Sequence, residues 1–299
     1  MSVQTDHSGA FAGTGPGLDH ACSHGPRGGS DPWRASVVAE PAEVVLHRAV
    51  NDEYRHLVVA VGPEAAAAQP GQFFQLLCPP PTTGEQPFLR RPMSLFGVDR
   101  TRRQVAFLYK VAGIGTRGLE TLRQGDRLDI MGPLGVGFRL DPAWRHVVAV
   151  GRGAGLATLA PLAGAARDAG IGVTAILSAR RPDLLVSRDR FEADGAAVVA
   201  ITDQQSTSGP AHVERILRGL IDDGRCDAFF TCGSSRLARV QQRLALEFGL
   251  PGQIAMEQQM ACGIGLCHCC VRDFNVGGRI VSRRVCWEGP VFDLTEALP

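Results

Sequence analysis

The chain has 299 residues, 44% hydrophobic and 20% charged, enough for about two domains with buried cores and too apolar for global disorder. Its 31 basic and 30 acidic side chains leave a net charge of +1, which supplies no field for nucleic acid or anionic lipid. No apolar run reaches the roughly 18 residues of a membrane span, and no basic-then-apolar leader opens the chain, so the sequence predicts no membrane span, no export and a cytoplasmic location.

Residues 1–34 hold seven Gly, three Pro, four Ser and three His with few large apolar residues. Such a segment buries too little surface to offset its ordering entropy, and a disordered tail is expected. His7, His20, Cys22 and His24 read there as chance ligands. Residues 35–142 change to short β-rich runs: Val44–Ala49, Tyr54–Val61, Gln72–Cys78, Met93–Val98, Val105–Val111 and Arg127–Met131. Turn signals separate them, and a short helical stretch over Gly113–Gln124 interrupts them. That pattern predicts an antiparallel β barrel.

Within the barrel, Arg90-Arg91-Pro92-Met93-Ser94 offers an Arg fork for a pyrophosphate and a hydroxyl for a flavin ring nitrogen. The alternative is an exposed Arg pair beside a solvated Ser. Gly113-Ile114-Gly115-Thr116 opens the helical stretch, where free amides can cradle phosphate. The two motifs, about twenty residues apart, together favour a flavin.

Residues 143–252 switch period. Strand His146–Val150 runs into the turn Gly151-Arg152-Gly153-Ala154-Gly155, and helices then alternate with strands Val173–Leu177, Ala197–Thr202 and Asp227–Thr231. This alternation predicts a doubly wound, parallel α/β domain with a dinucleotide turn at Gly151, Gly153 and Gly155. Arg152 is expected to reach the pyrophosphate. Cys232-Gly233 closes a later strand at the same edge, where either a ligand contact or a buried structural thiol fits. Arg180 and Arg181 follow the second strand, leaving NADP possible beside NAD.

Residues 253–299 hold five of the nine cysteines. An odd total without an export signal argues against a disulfide framework. Cys262, Cys267 and Cys270 form C-x4-C-x2-C, and Cys286 follows after fifteen intervening residues. This is the plant-ferredoxin spacing, and it predicts a small C-terminal [2Fe–2S] domain. Structural zinc, which favours two C-x2-C knuckles, and free buried thiols are the alternatives. Cys269 is expected to project away from the cluster.

Arg91-Pro92-Met93-Ser94, Leu108-Tyr109-Lys110, Gly115-Thr116, Met260-Ala261-Cys262-Gly263-Ile264-Gly265, Cys286 and Gly289-Pro290-Val291-Phe292 resemble the electron-transfer subunit of type B dihydroorotate dehydrogenase, within the ferredoxin–NADP reductase superfamily. The resemblance spans about residues 36–294. It implies FAD contacts at Arg91, Pro92, Met93, Ser94, Leu108, Tyr109, Lys110, Gly115 and Thr116, and cluster ligands at Cys262, Cys267, Cys270 and Cys286. It also implies an FMN-containing dihydroorotate dehydrogenase catalytic subunit as partner, in a heterotetramer of two of each. Electrons would pass from FMN through [2Fe–2S] and FAD to NAD+ in pyrimidine (UMP) biosynthesis, with the base for dihydroorotate on the partner and no catalytic residue here. Arg152, Ala154, Thr158 and Ser234 depart from the family pattern and bear on the nucleotide site. Two other readings share the motifs: an FAD/[2Fe–2S] NAD(P)H-dependent reductase serving a ferredoxin- or sulfide-linked partner, and a zinc-holding module that binds nucleotide without turnover.

Overall fold

The structure, a computed structural model, describes residues 36–299; the expectations for residues 1–34 lie outside the described residues. The first seven strands are β1 (Val38–Ala49), β2 (Tyr54–Ala60), β3 (Phe73–Leu76), β4 (Arg91–Ser94), β5 (Gly97–Asp99), β6 (Gln104–Lys110) and, after helix α1 (Ile114–Leu119), β7 (Arg127–Leu134). The seven up to β7 form one curled antiparallel half-barrel, in the order β4-β3-β7-β1-β2-β6-β5. Alternate side chains such as Leu57, Val59, Phe74, Leu76, Phe107, Leu128 and Ile130 fill it, as a period of two requires. Phe74 and Phe107 meet edge to face, 5.5 Å between centroids. The single strand expected over Met93–Val98 is two, because β4 pairs with β3 while β5 pairs with β6 at the opposite edge.

The second layer runs β8 (His146–Arg152), α2 (Gly155–Asp168), β9 (Gly172–Ala179), α3 (Arg188–Ala193), β10 (Ala197–Thr202), α4 (Pro210–Asp222), β11 (Ala228–Cys232), α5 (Ser235–Phe248) and β12 (Gly252–Ala255). These strands lie parallel in the order β10-β9-β8-β11-β12. The middle of strand β8, Val147–Gly151, is apolar and buried because both faces are covered. Val147 and Ala149 pack with α2, while Val148 and Val150 pack with α4 and α5.

The remaining chain forms the hairpin β13 (Val271–Val276) and β14 (Arg279–Arg284), the turn α6 (Val285–Glu288) and β15 (Val291–Asp293). Strand β15 pairs antiparallel with β12 and completes the six-stranded sheet. The tail is therefore anchored, not appended. Its Met260, Cys270, Phe274, Val285, Cys286 and Phe292 share one core with Phe73 and Leu134 of the half-barrel and with the α4–α5 face of the sheet. Among the described residues, no helix is long and apolar enough to cross a membrane.

Candidate functional site: a cysteine loop against a flavin-type strand

The cysteine loop turns on two glycines in the left-handed region, Gly263 (φ +74°) and Gly265 (φ +80°), a conformation that costs other residues strain. A Cβ on Gly265 would stand 2.9 Å from the Trp287 ring, so the ring seals the loop from behind. Three backbone amides address cysteine sulfurs: Gly265 N–H to Cys286 Sγ at 3.2 Å, Cys267 N–H to Cys262 Sγ at 3.4 Å and Cys286 N–H to Cys270 Sγ at 3.4 Å.

The four thiols stand as two hydrogen-bonded pairs, Cys262 with Cys267 and Cys270 with Cys286. Burial opposes ionisation of Cys262, but the amides of Cys267, Ile264 and Leu266 and the Cys267 thiol outweigh it and bring its pKa to about 7. The Cys286 thiol, against burial, draws Cys270 down to about 6, while Cys286 is raised and keeps the proton. Among the described residues, no three Cys, His, Asp or Glu side chains gather as they would around one metal ion. Two pairs of sulfurs, each with one member drawn toward thiolate, fit a binuclear core, where each iron takes two, better than a tetrahedral zinc. Cys269 is exposed, points its Sγ at the Gln259 carbonyl (3.9 Å) and lines a groove on the other side of the loop.

That groove, of about 690 Å³, runs between Leu89–Pro92 and residues 257–261, so the flavin-type strand and the cysteine loop form its two walls. Arg90 is taken up structurally: it pairs with the Asp129 carboxylate at 3.0 Å and donates to the Gln75 and Asp129 carbonyls. Arg91 is different. Its stem lies on Gly115, where a Cβ would approach its Cγ and Nε to 2.9 Å. The two motifs read separately in the sequence thus meet in space, as a cofactor carrying a pyrophosphate would need. Thr116 Oγ1 accepts from the Ala112 and Gly113 amides and donates to the Gly113 carbonyl, so it shapes the turn before α1.

Leu108 and Lys110 leave β6 on the outer face, and Tyr109 points inward. The Tyr109 hydroxyl meets His47 Nε2 at 2.9 Å inside the half-barrel, and burial raises its pKa, so only its backbone is open to a cofactor. Lys110 pairs with Glu53 at 2.6 Å. Pro92 lines the groove, Met93 packs against the barrel core and Ser94 is half-buried.

Gly155 opens α2 directly under the β11 turn: its Cβ would lie 2.5 Å from the Cys232 carbonyl oxygen. Gly233 (φ +92°) is pressed equally against the Arg152 carbonyl, and Gly151 against Leu156 and Leu159. Gly153 (φ +59°) faces the Tyr54 hydroxyl. Cys232 is fully buried, and burial raises its thiol. Gly151, Gly153, Gly155 and Cys232 therefore converge at one edge of the sheet, beside the half-barrel.

Arg152 does not reach into this opening. Its guanidinium pairs with Asp203 at 2.6 Å and donates to Ser178 Oγ at 2.8 Å. The Arg152 hydrogen bond, then that of Ser208, lowers the Asp203 pKa. The expectation of a direct pyrophosphate contact fails because a carboxylate within reach satisfies the cation first. Arg152→Ala is expected to leave Asp203 uncompensated at the rim and to raise the KM for NADH about fivefold, a net contribution of roughly 1 kcal/mol. Steady-state diaphorase kinetics check it; a lower KM would mean that the side chain obstructs the site. Arg180 pairs with Glu53, and Arg181 with Asp52 (3.3 Å) and Asp183 (3.0 Å). Lys110 first, then Arg180, hold the Glu53 pKa down. A ribose 2′-phosphate would have to compete with these carboxylates.

Two residues that sequence reasoning missed complete the site. Tyr54 joins the barrel to the Gly153 turn. Glu257 faces Arg91 and Pro92 across the groove, and desolvation raises its carboxyl although the residue keeps solvent contact. Neither has a local signature; both are brought in by packing.

Known proteins match this arrangement. A family model described as the iron-sulfur cluster binding domain of dihydroorotate dehydrogenase B matches residues 257–297. The electron transfer subunit of dihydroorotate dehydrogenase B (NAD(+)) from Desulforamulus reducens is 33% identical over 230 residues, covering 76% of this chain and 86% of that protein. The subunit of the same name from Streptococcus pneumoniae is 31% identical over 255 residues, covering 85% and 96%. Among solved structures, an NADH-dependent reduced ferredoxin-NADP oxidoreductase superposes with a TM-score of 0.70 at 26% identity, covering 86% of this chain and 89% of that one. The ferredoxin reductase of carbazole 1,9a-dioxygenase, at 0.58 and 22% identity over 72% and 67%, shares the fold.

Proposed function

The chain belongs to the electron-transfer subunits of dihydroorotate dehydrogenase B, and from that premise we propose how its own residues divide the work. It is a flavin iron–sulfur oxidoreductase subunit using FAD and [2Fe–2S], with NAD+ as co-substrate. It serves an FMN-containing catalytic subunit that oxidises dihydroorotate in pyrimidine synthesis, in a cytoplasmic heterotetramer of two of each. When bound, FAD exchanges hydride with nicotinamide and single electrons with the cluster.

Arg91 and the first turn of α1, with Gly115 and Thr116, hold the FAD phosphates, and Pro92, Met93, Ser94 and the backbone of Leu108–Lys110 line the rest of its site. Cys262 with Cys267 and Cys270 with Cys286 hold the two irons. Gly151, Gly153, Gly155 and Cys232 leave the nicotinamide nucleotide its approach. Residues 35–142, 143–252 and 253–299 serve as the FAD, nucleotide and cluster units. The base for dihydroorotate is assigned to the partner, and no residue of this chain is given that role.

The observation that carries the reading is the paired cysteine loop walling the same groove as the Arg91 strand. The chain reconstituted anaerobically is expected to hold about two irons and two sulfides with one FAD. With its catalytic subunit it is expected to reduce NAD+ at the expense of dihydroorotate. Stoichiometric zinc without sulfide would refute the cluster. A fully loaded chain that reduced ferredoxin and stayed inert with dihydroorotate and the catalytic subunit would move it to the ferredoxin-linked reductases.

A further inference from the structure

We propose that Gln75 is a positioning residue that donates a hydrogen bond to the iron–sulfur cluster and raises its reduction potential. This rests on the cluster assignment made above. Strand β3 alternates: Phe74 and Leu76 point into the half-barrel, while Phe73 packs into the core that contains Cys270 and Cys286. Gln75 has the parity of Phe73, so its side chain leaves the barrel toward the cysteine loop. It sits on an inner strand, opposite Pro92 of β4 and Met131 of β7.

The residue is fully buried, and among the described residues neither Nε2 nor Oε1 has a hydrogen-bond partner. A buried amide with both ends unmet is costly, and folded proteins rarely tolerate it without a use. Gln72, three residues earlier and also buried, shows the ordinary solution: its Oε1 accepts from Gln69 N–H at 2.8 Å and its Nε2 donates to the Gly135 carbonyl at 2.8 Å.

The Gln75 amide is instead laid flat on Gly263. A Cβ there would lie 2.7 Å from Nε2 and 2.8 Å from Cγ, so the glycine is needed for this contact as well as for its φ. Gly263 follows Cys262, in a loop whose other donors already face sulfur. Cluster sulfurs are the acceptors that this corner lacks. A hydrogen bond to them favours the more negative, reduced state, and such bonds help to set cluster potentials. The geometry places this donor on the flavin domain, between β4 and the loop, so the strand next to FAD also conditions the cluster.

The test uses the full-length chain, reconstituted with FAD and cluster, as Gln75→Met and Gln75→Glu. Methionine keeps the volume and removes the donor; glutamate adds negative charge. EPR-monitored potentiometry is expected to show a cluster potential lowered in Gln75→Met by about tenfold in the redox equilibrium, ~59 mV for one electron. Gln75→Glu is expected to lower it further, with iron content, FAD content and flavin potential unchanged. A cluster potential unaltered in Gln75→Met overturns the proposal. So does a shift confined to the flavin, which would assign the amide to FAD. Loss of iron from Gln75→Met with FAD retained overturns it as well, making Gln75 a packing element. Iron and sulfide analysis of the wild type, done first, tells failure of the cluster assignment from failure of this inference.

Discussion

Cys270→Ser is expected to abolish the visible and EPR signals of the cluster, while Cys269→Ser leaves them intact. The two residues are adjacent in sequence and opposite in environment. Cys270 is buried, receives the Cys286 amide at 3.4 Å and is drawn toward thiolate by the Cys286 thiol. Cys269 is exposed and turns to the Gln259 carbonyl at the groove wall. A serine at 270 offers a harder, far less acidic ligand to an iron that needs sulfur, and it breaks one pair. Cys267→Ser should fail similarly through the other pair. Iron and acid-labile sulfide, measured with the spectra on anaerobically reconstituted protein, decide the matter. Signals lost in Cys269→Ser and kept in Cys270→Ser would reverse the ligand set.

What was legible in the sequence is what is local. The C-x4-C-x2-C register and its two glycines lie within nine residues, and the switch from strand pairs to strand–helix alternation marks the change from half-barrel to parallel sheet. What was not legible depends on distant contacts. Strands β12 and β15 are four and three residues long, too short for a period, and exist because β12 pairs with β11 and β15 returns across the cysteine segment to pair with β12. Arg152 looked free for a phosphate because Asp203, 51 positions away, is next to it only after β8, β9 and β10 align. Arg180 looked available for a 2′-phosphate for the same reason, its partner Glu53 lying in the turn between β1 and β2 of the half-barrel. Gln75 read as one more strand residue. Only burial without a partner makes it notable.

The Arg90-Arg91 pair shows how structure divides two residues that sequence cannot, and it sets the last prediction: Arg91→Ala is expected to release FAD. Arg90 spends its guanidinium on Asp129 and two carbonyls and has little left for a ligand. Among the described residues, the hydrogen bonds of Arg91 all leave from Nη1, to the carbonyls of Phe88 (2.6 Å), Leu89 (2.8 Å) and Arg90 (3.4 Å). Those contacts fix the stem over Gly115 and the head at the groove, with Nη2 and Nε available to a phosphate. A charge-assisted hydrogen bond of this kind contributes roughly 1.5–3 kcal/mol, so the FAD dissociation constant should rise about 10- to 150-fold. Gly115→Ala is expected to act in the same direction with Arg91 still present, because its methyl would displace the Arg91 stem. Flavin content after gel filtration, followed by FAD titration of the stripped proteins, measures both. Unchanged occupancy and affinity in Arg91→Ala would reduce this arginine to a brace for the carbonyls of residues 88–90 and leave the phosphates to the amides of α1.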